Sequence, residues 1–195
     1  MKIATIILKL GENGNLKECL DSLKKSQLDG IENQIIVIDN SSQNSGFSGG
    51  NNLGIKKALE WVAEIVMLLN DDTKIDGSAI IHLSRMLFFD KKTGAVVPKI
   101  YFYPGFEYHK DRYKKEDSGK VIWYAGGKID WNNIMGVHNG IDEVDRGQFD
   151  KSMEIDMEFI SGEKLSEELD EMENWKEVCF DVGRSIGKLH DFGVI

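Results

Sequence analysis

Three short apolar runs, each followed by a segment of helical periodicity, constrain the fold of this chain most. The runs cover residues 2–8, 35–38 and 65–69, and their continuous β-branched and apolar character is typical of strands buried on both faces of a parallel sheet. Between and after them, apolar residues recur at steps of three and four, which predicts amphipathic helices. Strand and helix therefore alternate three times, which predicts an α/β sheet with right-handed crossovers. The helical positions are Leu16, Cys19, Leu20 and Leu23, then Ile55, Ala58, Leu59 and Val62, then Ile80, Ile81, Leu83, Leu87 and Phe88 after a cap at Asp76 or Ser78.

The pattern changes after residue 94. Residues 95–103 and 121–124 are predicted as strands, separated by a charged loop over residues 109–120. Two helices are predicted over residues 163–172 and 175–190, the second with one apolar stripe that faces a core. A chain of 195 residues is long enough for one domain or slightly more, since domains hold roughly 100–200 residues.

The charge balance excludes one class of partner. Lys and Arg number 24 against 33 Asp and Glu, for a net charge of −9, which repels a phosphate backbone and argues against nucleic-acid binding. Cys19 and Cys179 match no metal or redox spacing and are predicted as buried thiols of a reducing compartment. No apolar run approaches the ~20 residues that span a bilayer. We expect a cytoplasmic protein, with peripheral contact at the inner face of the membrane left open.

Acidic segments follow the second and third predicted strands. They are Asp39-Asn40-Ser41-Ser42 and Asn70-Asp71-Asp72-Thr73, and in a parallel sheet both lie at the carboxyl edge, where such sheets bind ligands. Neighbouring carboxylates suit a hard divalent cation that completes its shell with phosphate oxygens. The alternative is that these residues simply cap turns and helices.

A glycine-rich segment over residues 46–54 precedes the second predicted helix. Its backbone N–H groups and the helix N-terminus are candidates to face an anionic ligand. The segment lacks the G-x-G-x-x-G spacing, because position 48 is Ser, and it lacks a Walker lysine. These absences argue against a dinucleotide dehydrogenase and a P-loop kinase. The alternative to an anion-binding segment is a flexible connecting loop.

Taken in order, these motifs resemble the family-two glycosyltransferases, especially the rhamnosyltransferase-like branch, over roughly residues 1–160. Besides the acidic and glycine-rich segments, the resemblance is carried by Leu16-Lys17-Glu18-Cys19-Leu20-Asp21-Ser22-Leu23, Gly94-Ala95-Val96-Val97-Pro98-Lys99-Ile100-Tyr101 and Ala125-Gly126-Gly127-Lys128-Ile129-Asp130-Trp131.

The resemblance implies an incomplete A-type glycosyltransferase fold, a Rossmann-like fold in which a nucleoside-diphosphate sugar lies across the strand ends. It also implies that the sugar passes to an acceptor hydroxyl, on a glycan or lipid-linked acceptor in polysaccharide biosynthesis. Asp39 would hold the base, Asn51 and Asn52 would lie near the ribose or diphosphate, and Asp72 would carry Mg²⁺ or Mn²⁺. The remaining donor-side residues are Asn40, Ser42, Gly50 and Asp71, and the weaker acceptor-side candidates are Trp123, Gly126 and Gly127, with Trp131 beyond them.

The chain departs from the family pattern at three places. Lys9-Leu10-Gly11-Glu12 stands where an Asn-Tyr-Asn type turn usually lies beside the base. Gln43 alone replaces a helix and strand of roughly 17 residues, so one strand is expected to be lost, which exposes apolar surface and favours self-association. No acidic acceptor-site motif follows Ile160. The acceptor base is therefore unassigned, and the alternative is an inert nucleotide-sugar-binding or scaffold module.

A second resemblance concerns the C-terminal part of the chain. Residues 157–165 and 182–195 resemble the small atypical kinase of the tRNA threonylcarbamoylation complex. The sequence stops before that family's His-Gly-Asp catalytic segment and lacks its phosphate loop and nucleotide-binding lysine, so kinase activity is not expected. We predict a junction near Ile160 and two parts, a glycosyltransferase-like domain over residues 1–156 and a helical kinase-like fragment over residues 157–195.

Overall fold

The computed structural model describes residues 1–11, 15–41, 45–89, 93–130 and 135–150, all within the unit Met1–Asp156. Several predictions lie outside these residues. They concern the turn at Glu12, Ser42, Gln43 and Trp131, and everything beyond residue 150, including the C-terminal helices, Cys179 and the boundary between the two predicted parts.

A three-stranded parallel sheet forms the first part of the fold. Its strands are β1 (Lys2–Lys9), β2 (Glu32–Asp39) and β3 (Ile65–Asn70), in the order β2-β1-β3. The register places Lys9 opposite Asp39, and Leu8 opposite Asn70. The carboxyl ends of all three strands therefore meet at one edge, and the predicted mixed α/β architecture is confirmed.

Helices cover both faces of β1, which explains why residues 3–7 of this strand are buried on both faces. The helices are α1 (Asn15–Lys24), α2 (Gly46–Glu60) and α3 (Ala79–Phe89). Successive strand residues point to opposite faces. Ile3 and Ile7 pack with residues of α1 and α3, whereas Ala4 and Ile6 pack with Ala58 of α2. Burying each isoleucine side chain contributes roughly 1.5–3 kcal/mol.

The glycine-rich segment is helical, so the prediction of a loop before the second helix is wrong. α2 already begins at Gly46. A Cβ added at Gly50 would stand 2.3 Å from Leu8 Cδ1, and one added at Gly54 would stand 2.4 Å from Ile6 Cγ2. Together with Ala58, these small residues recur every four positions along the face that contacts β1. The glycines therefore allow close packing of α2 on the sheet.

α2 ends in a Schellman motif with a valine at the left-handed position. The N–H of Ala63 donates to the carbonyl of Ala58 at 3.0 Å, and the N–H of Val62 donates to the carbonyl of Leu59 at 2.9 Å. Val62 has φ 59° and is 72% exposed. Glycine is the residue that this position favours, because a Cβ is strained there.

One of the two predicted cap residues, Asp76, organises the turn that leads into α3, which begins at Ala79. The Asp76 carboxylate accepts hydrogen bonds from the N–H of Ser78 at 2.8 Å and from its hydroxyl at 2.6 Å. Among the residues described above, no helix combines the length and the apolar character needed to cross a membrane.

Residues 93–150 hold two short antiparallel pairs, β4 (Ile100–Tyr101) with β5 (Ile122–Tyr124), and β6 (Gly127–Asp130) with β7 (Met135–His138). The strand predicted over residues 95–103 is wrong in extent, because only Ile100 and Tyr101 pair. Pro98, which has no N–H, precedes them. The β6–β7 pair was not predicted, because every residue of β7 is exposed and its sequence lacks the alternation of a half-buried strand.

A cluster of charged and hydroxyl groups ties β4 to the segment that follows β7. Lys99 Nζ lies 2.7 Å from Asp145 Oδ2 and 2.5 Å from Asp150 Oδ1, and the Tyr101 hydroxyl donates to Asp145 at 2.5 Å. Hydrogen bonds from Lys99 and Tyr101 lower the pKa of Asp145 to about 2. Asp145 is therefore held as a carboxylate between two donors.

Candidate functional site

The candidate site is the strand-end edge, defined here as residues 9–11, 39–41 and 70–72. These segments follow β1, β2 and β3, whose parallel pairing brings them to one side of the sheet. Adjacent strands lie about 4.8 Å apart, so the ends of β2 and β3 flank that of β1 at a separation of about 10 Å. The predicted convergence of both acidic segments at this edge is confirmed.

Asp39 presents a carboxylate to solvent at the end of β2. Its Oδ1 accepts the N–H of Ser41 at 2.9 Å, its Oδ2 lies 3.5 Å from Lys9 Nζ, and its side chain is 57% exposed. Hydrogen bonds from Ser41, and then the charge of Lys9, hold the pKa of Asp39 below its ordinary value. The N–H of Gly11 donates to the Ser41 hydroxyl at 2.8 Å, which joins the ends of β1 and β2. Asp39 is thus an oriented anion.

Asn40 is buried, and its amide organises the start of α2. Its Oδ1 accepts the N–H of Ser45 at 3.1 Å and the Ser45 hydroxyl at 3.0 Å, while its Nδ2 donates to the carbonyl of Gly46 at 3.2 Å. Its own N–H donates to the carbonyl of Lys9 at 2.9 Å. Asn40 therefore positions the helix N-terminus beside the strand-end edge.

The other donor-side candidates lie inside α2. Gly50 packs against Leu8, and Asn51 is buried with its Nδ2 donating to the carbonyl of Phe47 at 3.0 Å. Asn52 is exposed on the same helix. All three lie within the first two turns of α2, and their donor-side roles remain predictions.

Asp71 and Asp72 directly follow β3, with Asp72 exposed and Asp71 partly exposed. Their charges reach the buried thiol of Cys19, whose Sγ lies 3.6 Å from the carbonyl oxygen of Asn70. Burial, and then the negative charges of Asp71 and Asp72, raise the pKa of Cys19 to about 11. Cys19 is thus a protonated core thiol, and the edge beside it carries a negative field.

The acidic pair, Asp71 and Asp72, fits a divalent cation that takes its remaining ligands from phosphate and water. No group of three or more His, Cys, Asp and Glu side chains that could hold a metal occurs among the described residues. Mg²⁺ commonly binds through one or two carboxylates and takes its other oxygens from phosphates and water. Asp72, with Asp71 beside it, has the hard oxygen donors that such a shared shell requires.

On the acceptor side, Trp123 belongs to an aromatic cluster. Its ring is 5.4 Å from that of His138, which lies 5.1 Å from the ring of Tyr124, and Trp123 is 39% exposed. Gly126 has φ 84°, a left-handed conformation that favours glycine. A Cβ on Gly127 would approach the Val137 carbonyl oxygen to 3.0 Å. The two glycines therefore shape the β6–β7 pair beside an exposed indole.

Two contacts involve residues that sequence reasoning did not select. The Tyr103 hydroxyl donates to Glu18 Oε2 at 2.8 Å, and His109 pairs through Nδ1 with Asp142 Oδ2. Both pairs are far apart in sequence, so no local spacing signals them. The Trp123 cluster had one local signal in the sequence, the tryptophans on either side of Gly126-Gly127.

No family model and no solved structure matches this chain. It is similar to the KEOPS complex subunit Bud32 of Pyrococcus abyssi, with 51% identity over 47 residues, which is 23% of this chain and 21% of that protein. The chain thus spans about a fifth of the length of that relative. The match supports the resemblance of a short segment to the small kinase. The glycosyltransferase resemblance gains no support from these comparisons.

Proposed function

We propose that the strand-end edge binds a nucleoside-diphosphate sugar together with Mg²⁺ or Mn²⁺, and that the chain transfers the sugar to an acceptor hydroxyl. The observation that carries this proposal is the placement of exposed carboxylates, Asp39 and Asp72, on either side of β1 at the carboxyl edge of a parallel sheet. Open α/β sheets bind nucleotides at this edge. The A-type glycosyltransferase fold is proposed on the same basis, together with the motif resemblance.

Asp39 is proposed to recognise the base. Its carboxylate is fixed by Ser41 and neighbours Lys9, yet keeps most of its surface in solvent, so it can accept a hydrogen bond from a base N–H. Asn40 stabilises this site through its hydrogen bonds to residues at the start of α2. Asn51 and Asn52, in the first two turns of α2, are proposed to lie near the ribose or diphosphate, with Gly50 beside them.

Asp72, assisted by Asp71, is proposed to hold the cation against the diphosphate. When bound, the cation supplies positive charge where the leaving diphosphate gains negative charge. Without such a cation, the net charge of −9 would repel a diphosphate. Donor affinity is therefore expected to depend on the metal.

Trp123 is proposed to contact the acceptor, since sugars stack on exposed aromatic faces and this indole is 39% exposed. A glycan or a lipid-linked sugar fits this role.

An inert nucleotide-sugar-binding or scaffold module is the second candidate, because the side-chain amides of Asn40 and Asn51 already donate hydrogen bonds to backbone carbonyls of the protein. For the segment similar to Bud32, we propose a kinase-derived fragment without kinase activity. Self-association and a cytoplasmic location remain predictions.

The test is thermal stabilisation of the full chain by UDP-, GDP- and dTDP-sugars with and without Mn²⁺, followed by measurement of diphosphate release. At a donor concentration of 100 times Kd, binding adds about 2.7 kcal/mol to the free energy of unfolding. Metal-dependent stabilisation with release supports the transferase. Stabilisation without release supports the inert module, and no stabilisation by any donor rejects both.

A further inference from the structure

We propose that His109 and Asp142 form a base dyad that takes the proton from the acceptor hydroxyl. The inference rests on the proposed function and supplies the base that the sequence left unassigned. It concerns residues of two segments that meet only in the folded chain, 33 positions apart.

The pairing leaves one imidazole nitrogen for chemistry. His109 Nδ1 is paired with Asp142 Oδ2, and the His109 side chain is half exposed whereas that of Asp142 is 12% exposed. A neutral imidazole that donates Nδ1–H to a carboxylate carries its lone pair on Nε2. His109 Nε2 is therefore the proton-accepting atom, on a ring that solvent and ligands can reach.

Asp142 is held in an uncommon state. Its φ is 65°, its N–H donates to the carbonyl of Ile122 at 2.8 Å, and its own carbonyl accepts the Tyr113 hydroxyl at 3.0 Å. Its Oδ1 is buried with no hydrogen-bond partner among the described residues. Strained backbone and unsatisfied buried oxygens are costly features that cluster at functional sites.

The charges around the dyad favour a carboxylate that can stabilise an imidazolium. Burial acts to raise the pKa of Asp142, but the nearby Tyr113 hydroxyl, the contact with His109 and the charge of Arg112 outweigh it and keep the pKa below its ordinary value. Glu107 adds a further negative charge near Tyr113. Once His109 accepts a proton, the Asp142 carboxylate faces the new positive charge.

The segment that leads to His109 contacts the helix that follows β1. The rings of Phe102 and Tyr108 lie 4.9 Å apart within this segment. The Tyr103 hydroxyl donates to Glu18, in the first turn of α1, at 2.8 Å. Since α1 follows the carboxyl end of β1, this contact ties the segment before the dyad to the element next to the strand-end edge.

The proposed step balances without a further reactant. His109 Nε2 takes the hydroxyl proton while the acceptor oxygen forms a bond to the anomeric carbon of the donor sugar. The bond from that carbon to the diphosphate oxygen breaks, and the nucleoside diphosphate leaves with the electron pair. The imidazolium then returns its proton to water.

The test compares release of the nucleoside diphosphate by the full chain and by three variants, with a free monosaccharide present to supply the acceptor hydroxyl and donor binding measured by thermal stabilisation. His109→Gln is expected to lower the rate by about 10²- to 10⁴-fold, with donor stabilisation unchanged. Asp142→Asn is expected to lower the rate too, and Asn tolerates the positive φ. His82→Gln, at an exposed position of α3, is the matched control and is expected to behave as wild type.

A merely structural pair predicts different results. A wild-type rate in His109→Gln would overturn the dyad without contradicting the proposed donor site. Donor binding by the wild type without any release of the nucleoside diphosphate would have the same meaning. Equal losses of rate and donor stabilisation in His109→Gln, or an equal loss of rate in His82→Gln, would also contradict a base role. If no donor binds the wild type, the proposed function fails and the dyad fails with it.

Discussion

Gly54 of α2 lies against Ile6 of β1 so closely that a Cβ on the glycine would stand 2.4 Å from Ile6 Cγ2. Ile6 is fully buried at the centre of the sheet and cannot move aside. This contact fixes the distance between α2 and the sheet, and with it the position of the helix start that Asn40 holds beside the strand-end edge.

Gly54→Ala is expected to lower the free energy of unfolding by about 1–2 kcal/mol. Alanine favours a helix interior by about 1 kcal/mol over glycine, but overpacking a rigid core costs about 1–3 kcal/mol or more. Urea denaturation measures the difference. Gly136→Ala is the matched control, because a Cβ there meets nothing within 4 Å. A stabilised Gly54→Ala variant would show that α2 does not approach β1 this closely.

Val62→Gly is expected to raise the free energy of unfolding by about 1 kcal/mol. A left-handed conformation costs a residue with a Cβ about 1–2 kcal/mol, and glycine gives back part of that gain through its more flexible unfolded state. Because the Val62 side chain is exposed, its removal costs little packing energy. Val62→Ala keeps the Cβ and should gain less than Val62→Gly, so equal stability of the two variants would contradict the strained Schellman position.

Asp145→Asn is expected to lower stability by about 2 kcal/mol at pH 7. The carboxyl has a pKa of about 2 in the folded chain and about 3.9 when unfolded. Its contribution is therefore complete above about pH 4 and is lost as the pH falls towards 2. The stability difference between wild type and Asp145→Asn should shrink over that interval.

The control for this prediction is Asp150→Asn. Asp150 also contacts Lys99, but its side chain is 64% exposed against 10% for Asp145, so its loss should cost less than about 1 kcal/mol. Equal destabilisation by the two variants, or a pH-independent difference for Asp145→Asn, would contradict the role given to the buried carboxylate.

Local sequence patterns predicted the parts of the fold in which large apolar side chains carry the signal. Residues 3–7 of β1 are buried, and apolar except for Thr5, because helices cover both faces of the strand. Asp39 and Asp72 lie at the ends of strands whose parallel order fixes their common edge. The start of α2 was missed because its sheet-facing positions, Gly50 and Gly54, have no side chain from which a helical period can be detected.

Elsewhere, structure depends on partners that the local sequence does not contain. Residues 95–98 are apolar but pair with no strand among the described residues, and β7 forms although all four of its residues are exposed. The contact between His109 and Asp142 joins residues 33 positions apart, so no local sequence motif predicts it. The glycosyltransferase roles of the strand-end residues remain predictions.

Calorimetric titration of the full chain with nucleoside-diphosphate sugars, with and without Mn²⁺, tests the central proposal most directly. The wild type and Glu60→Ala, an exposed acidic control on α2, should bind one donor more tightly with Mn²⁺. Asp72→Ala should lose at least about tenfold of that metal-dependent affinity with an unchanged melting temperature, because Asp72 is an exposed strand-end residue. Binding of donor and metal by Asp72→Ala as by the wild type, or the absence of donor binding by the wild type, would contradict the proposed site.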